Sequence, residues 1–208
     1  ISWKKLKIIT KKYNTNHEFI TLLGYEWSGT TELGGDHNIF FKKDNSPLFR
    51  SSNWLINKNN NNFKNISINN LYSKLLKHEC IVIPHIGGRP ANLKYSNSKL
   101  ENLIEVHSHW GTFNWAIERA ILNGYKFGFV ANSDDHMCRP GLSKPGFTNY
   151  GTIGGLTCIL SKDKTRNSIW EALKNRRCYA TTGQRTYCDV TLNNYDIGSN
   201  IPHNIKYN

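Results

Sequence analysis

The chain has 208 residues, 38% hydrophobic and 12% aromatic, which suits one domain, or one domain with part of another, around a real core, and excludes a wholly disordered polymer. Its formal net charge is +12, yet the lysines are scattered among abundant Asn and Ile without a dense basic run, so compositional drift outweighs a nucleic-acid surface as the reading. No stretch approaches the roughly 18 apolar residues of a membrane span, and five cysteines without a C-x-x-C suggest neither a zinc ribbon nor a complete disulfide framework.

Residues 1–16 open with "ISWKKLKIITKKYN", whose spacing predicts a basic amphipathic helix. "EFITLLGYEWSG" predicts a strand ending near Tyr25, and "HNIFF" a second. Residues 42–65 hold an Asn-rich polar loop. "SINNLYSKLLKH" has helical spacing at Ile68, Leu71, Leu75 and Leu76, with Ser67 as N-cap. "CIVIP" is a compact buried strand running into "HIGGRP", and "LENLIEVHSHWG" carries another near Leu103 to Val106. "TFNWAIERAILNG" predicts a helix capped by Thr112, with Trp115, Ala116, Ala120 and Ile121 on its apolar face and Gly124 stopping it. "YKFGFVA" and "GGLTCIL" follow as strands, and "TRNSIWEALKNRR" as a helix capped by Thr165. "CYATTGQRTYCDVTL" then leads into β structure of a different character. Alternating strands and helices predict an α/β fold with mainly parallel strands, either an open sheet covered on both sides or a closed barrel.

The polar residues gather where these strands end. The first ends at Glu26, "CIVIP" at His85, "LIEV" at His107 with Glu105 two residues earlier, and "FGFVANS" at Asp134 and His136. In α/β folds that edge is where sites are built. A mixed set of His, Asp and Glu suits Zn²⁺, Mn²⁺ or Fe, which activate water for hydrolysis. No G-x-S-x-G elbow, Walker loop or G-x-G-x-x-G is present, and "GTIGG" at Gly151–Gly155 lacks the Lys and the helix of a phosphate loop. Each residue taken singly also has an ordinary reading: Glu26 as a cap or salt-bridge partner, His85 as a turn histidine, one of His107 and His109 as a bystander, Asp134 and Asp135 as turn formers.

The segments "GYEWSG", "IPHIGGRP", "EVHSHWGTFNW", "ANSDDHMCRPG" and "RRCYATTG" together resemble the PHP family (polymerase and histidinol phosphatase domains), in an uncharacterised branch of metal-dependent hydrolases, over roughly residues 19–190. The resemblance implies a distorted (β/α)₇ TIM-like barrel over residues 1–178, with residues 179–208 starting a β-rich C-terminal extension. It implies two or three Zn, Mn or Fe ions and phosphoester hydrolysis. It makes Glu26 a bridging carboxylate and His85, His107, Asp134 and His136 ligands, with Glu105, His109 and His37 as second-tier candidates. Arg89 and Arg139 would contact phosphate oxygens, and Asp135 would point away. The family's first strand, with H-x-H, has no counterpart before Glu26. Together with the absence of an initial Met, this reads as an N-terminally incomplete piece of a longer protein that would be inactive alone.

The expected function is therefore a metal-dependent phosphoesterase acting on a small phosphorylated or otherwise hydrolysable substrate. The alternative is a degenerate, non-catalytic module of the same kind that binds nucleic acid or a protein partner through its basic surface. The substrate, the oligomeric state and the compartment stay open.

Overall fold

The computed structural model describes residues 2–52, 65–137, 153–202 and 204. The chain divides into two compact units, one of residues 1–101 with 164–166, the other of residues 102–163 with 167–208.

The first unit begins with α1 (Trp3–Lys12), whose N-terminus is capped by Ser2 Oγ accepting from Lys5 N at 3.3 Å. β1 (Leu23–Trp27) and β2 (His37–Phe41) pair antiparallel, with Leu23 opposite Phe41 and Trp27 opposite His37. α2 (Ile68–Leu75) follows, and then β3 (Cys80–Pro84), antiparallel to β2. Alternate strand residues Leu23, Trp27, Ile39, Phe41, Cys80 and Val82 share one core with Ile68, Leu71, Tyr72 and Leu75 of α2. The helix thus buries positions i, i+3, i+4 and i+7. Tyr72 takes the place expected of Leu76, which lies past the helix end as its C-cap and is exposed.

Buried among these elements is a polar knot. The Glu101 carboxylate accepts from the Tyr72 hydroxyl, from Ser96 Oγ at 2.7 Å and from Asn97 N at 3.0 Å, and lies 3.2 Å from His37 Nε2. His37 Nδ1 meets the Gly35 carbonyl at 3.1 Å. Burial, then the Glu101 charge, pushes the Tyr72 phenol well above its ordinary value.

The second unit starts with β4 (Leu103–Ser108), which turns through His109–Trp110 into β5 (Gly111–Thr112). α3 (Asn114–Leu122) leads to β6 (Gly128–Ala131), parallel to β4 with a register shift between Glu105 and His107. β7 (Leu156–Ile159) and β8 (Cys178–Thr181) pair antiparallel on either side of α4 (Arg166–Lys174). A small hairpin of β9 (Thr191–Leu192) and β10 (Tyr195–Asp196) turns through Asn193 at φ 53°. Leu103, Ile104, Val106, Ala116, Ala120, Val130, Trp170 and Cys178 are buried here. The β7 residue Thr157 ties itself to β6, its hydroxyl accepting from Ala131 N at 3.1 Å and donating to Ala131 O at 2.8 Å.

The expected (β/α)₇ barrel is corrected by this topology. Among the described residues the strands form four sheets of two or three strands, and no barrel closes. Of these strands only β4 and β6 pair in parallel. A parallel neighbour needs a crossover of a dozen or so residues, usually helical. Residues 28–36 offer only a 3₁₀ turn (Thr31–Leu33), so β2 runs back against β1. Thr112, expected as a helix cap, instead sits in β5, and the helix begins after Phe113 without a side-chain cap. No helix among the described residues is long and apolar enough to cross a membrane.

Candidate metal centre

The parallel pair β4/β6 positions the most concentrated group of metal-ligating side chains. β4 ends at Ser108, and His109 occupies the following two-residue turn, where its backbone N–H donates to Ser133 O at 3.3 Å. β6 ends at Ala131, and residues 132–137 continue as a loop. In that loop Asp134 has φ 47°, a left-handed conformation that Asp and Asn tolerate better than other side chains. The reversal sends His136 back over its own chain, so that Nδ1 lies 2.9 Å from the Asp134 carbonyl. Asp135 is used locally, its Oδ1 accepting from Met137 N at 3.0 Å.

One ligand atom each from His109, Asp134 and His136 lies within 4.8 Å of the others. The His109 and His136 rings stack with centroids 5.6 Å apart and an interplanar angle of 27°. The Trp110 indole N–H donates to Asp134 Oδ2 at 2.5 Å, fixing the carboxylate. Because a carbonyl only accepts, the contact with Asp134 O places a proton on His136 Nδ1. His109 is fully buried, and burial lowers its pKa while Asp134 partly opposes this.

Two imidazoles and one carboxylate match the three-protein-ligand pattern of catalytic zinc and the facial triad of non-haem iron. Ligands at about 2.1 Å in a tetrahedral or facial set lie about 3.0–3.4 Å apart. Closing a 4.8 Å spread onto an ion thus asks for about 1.5 Å of movement, which falls to the half-exposed His136.

The other sequence-derived candidates sit as follows. His107 is next to this group in sequence, but its nitrogens are engaged: Nδ1 with Thr112 Oγ1 at 2.7 Å and Nε2 with Ile153 O at 3.0 Å. Since Ile153 O must accept, Nε2 carries the proton, Nδ1 accepts from Thr112, and His107 has no lone pair to offer in this arrangement. Glu105 is buried, with Oε2 accepting from Asn132 Nδ2 at 2.8 Å. Its charge is also felt at His109.

The remaining candidates belong to the first unit. Glu26 is exposed and accepts from Ser28 Oγ at 3.0 Å. His85 is buried after β3, its N–H donating to Asp36 O at 3.0 Å. His37 lies in the polar knot. The guanidinium of Arg89, expected to face phosphate, donates through Nε to both Asp36 oxygens, at 3.0 and 3.3 Å. Arg139, also expected to face phosphate, lies outside the described residues.

Sequence reasoning misses Trp110 as the group that holds Asp134. It places His109 below His107 because strand alternation, not the hairpin after Ser108, sets the expected facing.

The family model that matches, over residues 142–193, is described as a protein of unknown function (DUF3604). An uncharacterised protein of Chlamydia pneumoniae is 26% identical over 224 residues, covering 96% of this chain and 34% of its own length. Another from Chlamydia muridarum is 24% identical over 229 residues, covering 98% of the chain and 35% of its own length. The chain thus spans about a third of the length of the curated relatives it matches. No solved structure matches. The resemblance to the PHP family is overturned by these findings: the matching family is one of unknown function, the relatives are uncharacterised, and among the described residues the implied barrel does not form.

Proposed function

We propose that the chain carries the metal centre of a divalent-metal-dependent hydrolase, with a phosphoester as the bond cleaved. The observation that carries this is the grouping of His109, Asp134 and His136 at the ends of the parallel strands β4 and β6. Zn²⁺, Mn²⁺ or Fe held there would lower the pKa of a coordinated water towards neutrality and polarise the substrate. Asp134 supplies the anionic ligand, kept in orientation by Trp110 Nε1. His136, whose loop folds back over the Asp134 carbonyl, would supply a second imidazole. His109, buried, anchors the site from the hairpin side. These three ligands can hold one ion; a site of two or three ions would draw further ligands from outside this group.

The test uses the full-length protein, since the relatives extend well beyond the matched region. Metal content is measured by plasma mass spectrometry, and hydrolysis of p-nitrophenyl phosphate and its bis-ester is followed. Near-stoichiometric metal that disappears in Asp134→Ala/His136→Ala, together with lost hydrolysis, is the expected result. Metal content untouched by that double change rejects the proposal. The net charge of +12 favours one rival, a non-catalytic nucleic-acid-binding module. Steeply salt-dependent oligonucleotide binding by a metal-free protein would select it.

A further inference from the structure

We infer that the cleft adjoining this centre is the substrate pocket, that it takes a compact, singly phosphorylated small molecule, and that Arg185 recognises the phosphate. Its catalytic meaning rests on the metal-centre reading above. The cleft has a volume of about 360 Å³ and lies within the second unit, lined among others by Asn132, Ser133, Ile153, Gly154, Gly183 and Arg185.

Three observations connect the cleft to the chemistry. The first is continuity. Ser133 precedes Asp134 in the chain, and its carbonyl accepts from His109 N at 3.3 Å. The carbonyl of Ile153, another lining residue, accepts from His107 Nε2 at 3.0 Å. Two lining residues are therefore hydrogen-bonded to the segment that carries His109.

The second is how tightly the lining segments are packed together. A Cβ on Gly155 would lie 2.4 Å from Ala131 Cβ, and one on Gly183, at φ +98°, 2.5 Å from Ile153 Cγ2. Glycine at both positions lets the backbone of β7 and of the turn after β8 approach closely. Gly155 N then donates to Asn132 O at 2.8 Å.

The third is charge. Among the described lining residues Arg185 is the one ionisable side chain, and none is a carboxylate. It is exposed and makes no ion pair with a described residue. A guanidinium fork matches a phosphate in two parallel hydrogen bonds. A polymer strand would call for several cations at phosphate spacing. A single cation in a cleft at the lower end of ligand-pocket sizes, about 300 Å³ upwards, fits one phosphate on a small molecule.

The experiment measures inorganic phosphate binding by calorimetry to the full-length protein, metal-loaded and after chelation. The variants are Arg185→Gln, Arg185→Lys and Asp134→Asn. Arg185→Gln is expected to weaken phosphate binding about ten- to a hundred-fold with metal content unchanged. Arg185→Lys should recover part of the loss. An exposed arginine can be changed without unfolding the protein, and retained metal content confirms it. Phosphate binding that Arg185→Gln leaves within two-fold, or no phosphate binding to either form of the wild type, overturns the inference. Arg185-dependent binding to a protein that never holds metal supports the pocket while rejecting the metal centre.

Discussion

Replacing Gly155 with alanine adds one methyl group where the structure has no room for it. The new Cβ would stand 2.4 Å from Ala131 Cβ, 2.9 Å from His107 Cδ2 and 2.9 Å from Thr181 O. Carbon atoms rest about 3.5–4.0 Å apart. Relief therefore requires β7 and β6 to part by about 1 Å, against the Thr157–Ala131 hydrogen bonds that join them. Overpacking of this kind costs about 1–3 kcal/mol. Urea unfolding read at constant m-value measures the loss.

A double-mutant cycle isolates the contact. Ala131→Gly removes the methyl that makes the shortest approach, so Gly155→Ala should be milder in that background by about 1 kcal/mol. Gly124→Ala is the control, because a Cβ there meets nothing within 4 Å and carries only the strain of φ +70°. A Gly155→Ala loss below about 0.5 kcal/mol, or strict additivity with Ala131→Gly, would refute the close-approach account of this corner.

Other outcomes follow from features described above. Leu71→Ala, which opens a cavity in the core between α2 and the first sheet, should cost about 2–5 kcal/mol in chemical denaturation. Trp110→Phe keeps the ring but removes the donor to Asp134 and should weaken metal binding about ten-fold in a chelator competition; an unchanged constant would show that Trp110 does not position the carboxylate. Burial pushes the Cys178 thiol up to about 12, so iodoacetamide at pH 8 should modify the exposed Cys188 and spare Cys178, as peptide mapping would show. The same shift has a sign for stability: above about pH 8.5 the unfolded chain releases this proton and the folded chain keeps it. Stability should therefore fall as pH rises from about 9 towards 12, and Cys178→Ala should flatten that slope.

Much of the element plan is legible in the residues. β2 and β3 coincide with "HNIFF" and "CIVIP", because apolar β-branched and aromatic runs between polar stretches have few other uses. Strand direction is not legible. A strand buried on both faces reads the same whether its neighbour runs with it or against it, and the direction of β2 is decided by nine connecting residues with no helix. The candidate centre is legible in composition but not in geometry. Alternation along an extended strand accounts for setting Asp134 and His136 apart from Asp135. What separates them in the structure is a left-handed residue and an Asx turn after the strand has ended at Ala131. The role of Trp110 rests on a pairing 24 residues away in sequence, which no local pattern encodes.

The left-handed Asp134 also bears on how such a centre could be gained or lost by mutation. Its position asks for a side chain that tolerates φ 47° as well as for a carboxylate. Asn and Gly meet the first demand without the second, and both are one base change from an Asp codon. Loss of the charge with the loop intact is thus a single genetic step, whereas a valine or alanine at this position would disturb the loop as well. A lineage that has undergone Asp134→Asn would retain the shape of the site without its anionic ligand. Reversion to aspartate would restore the ligand without rebuilding the fold.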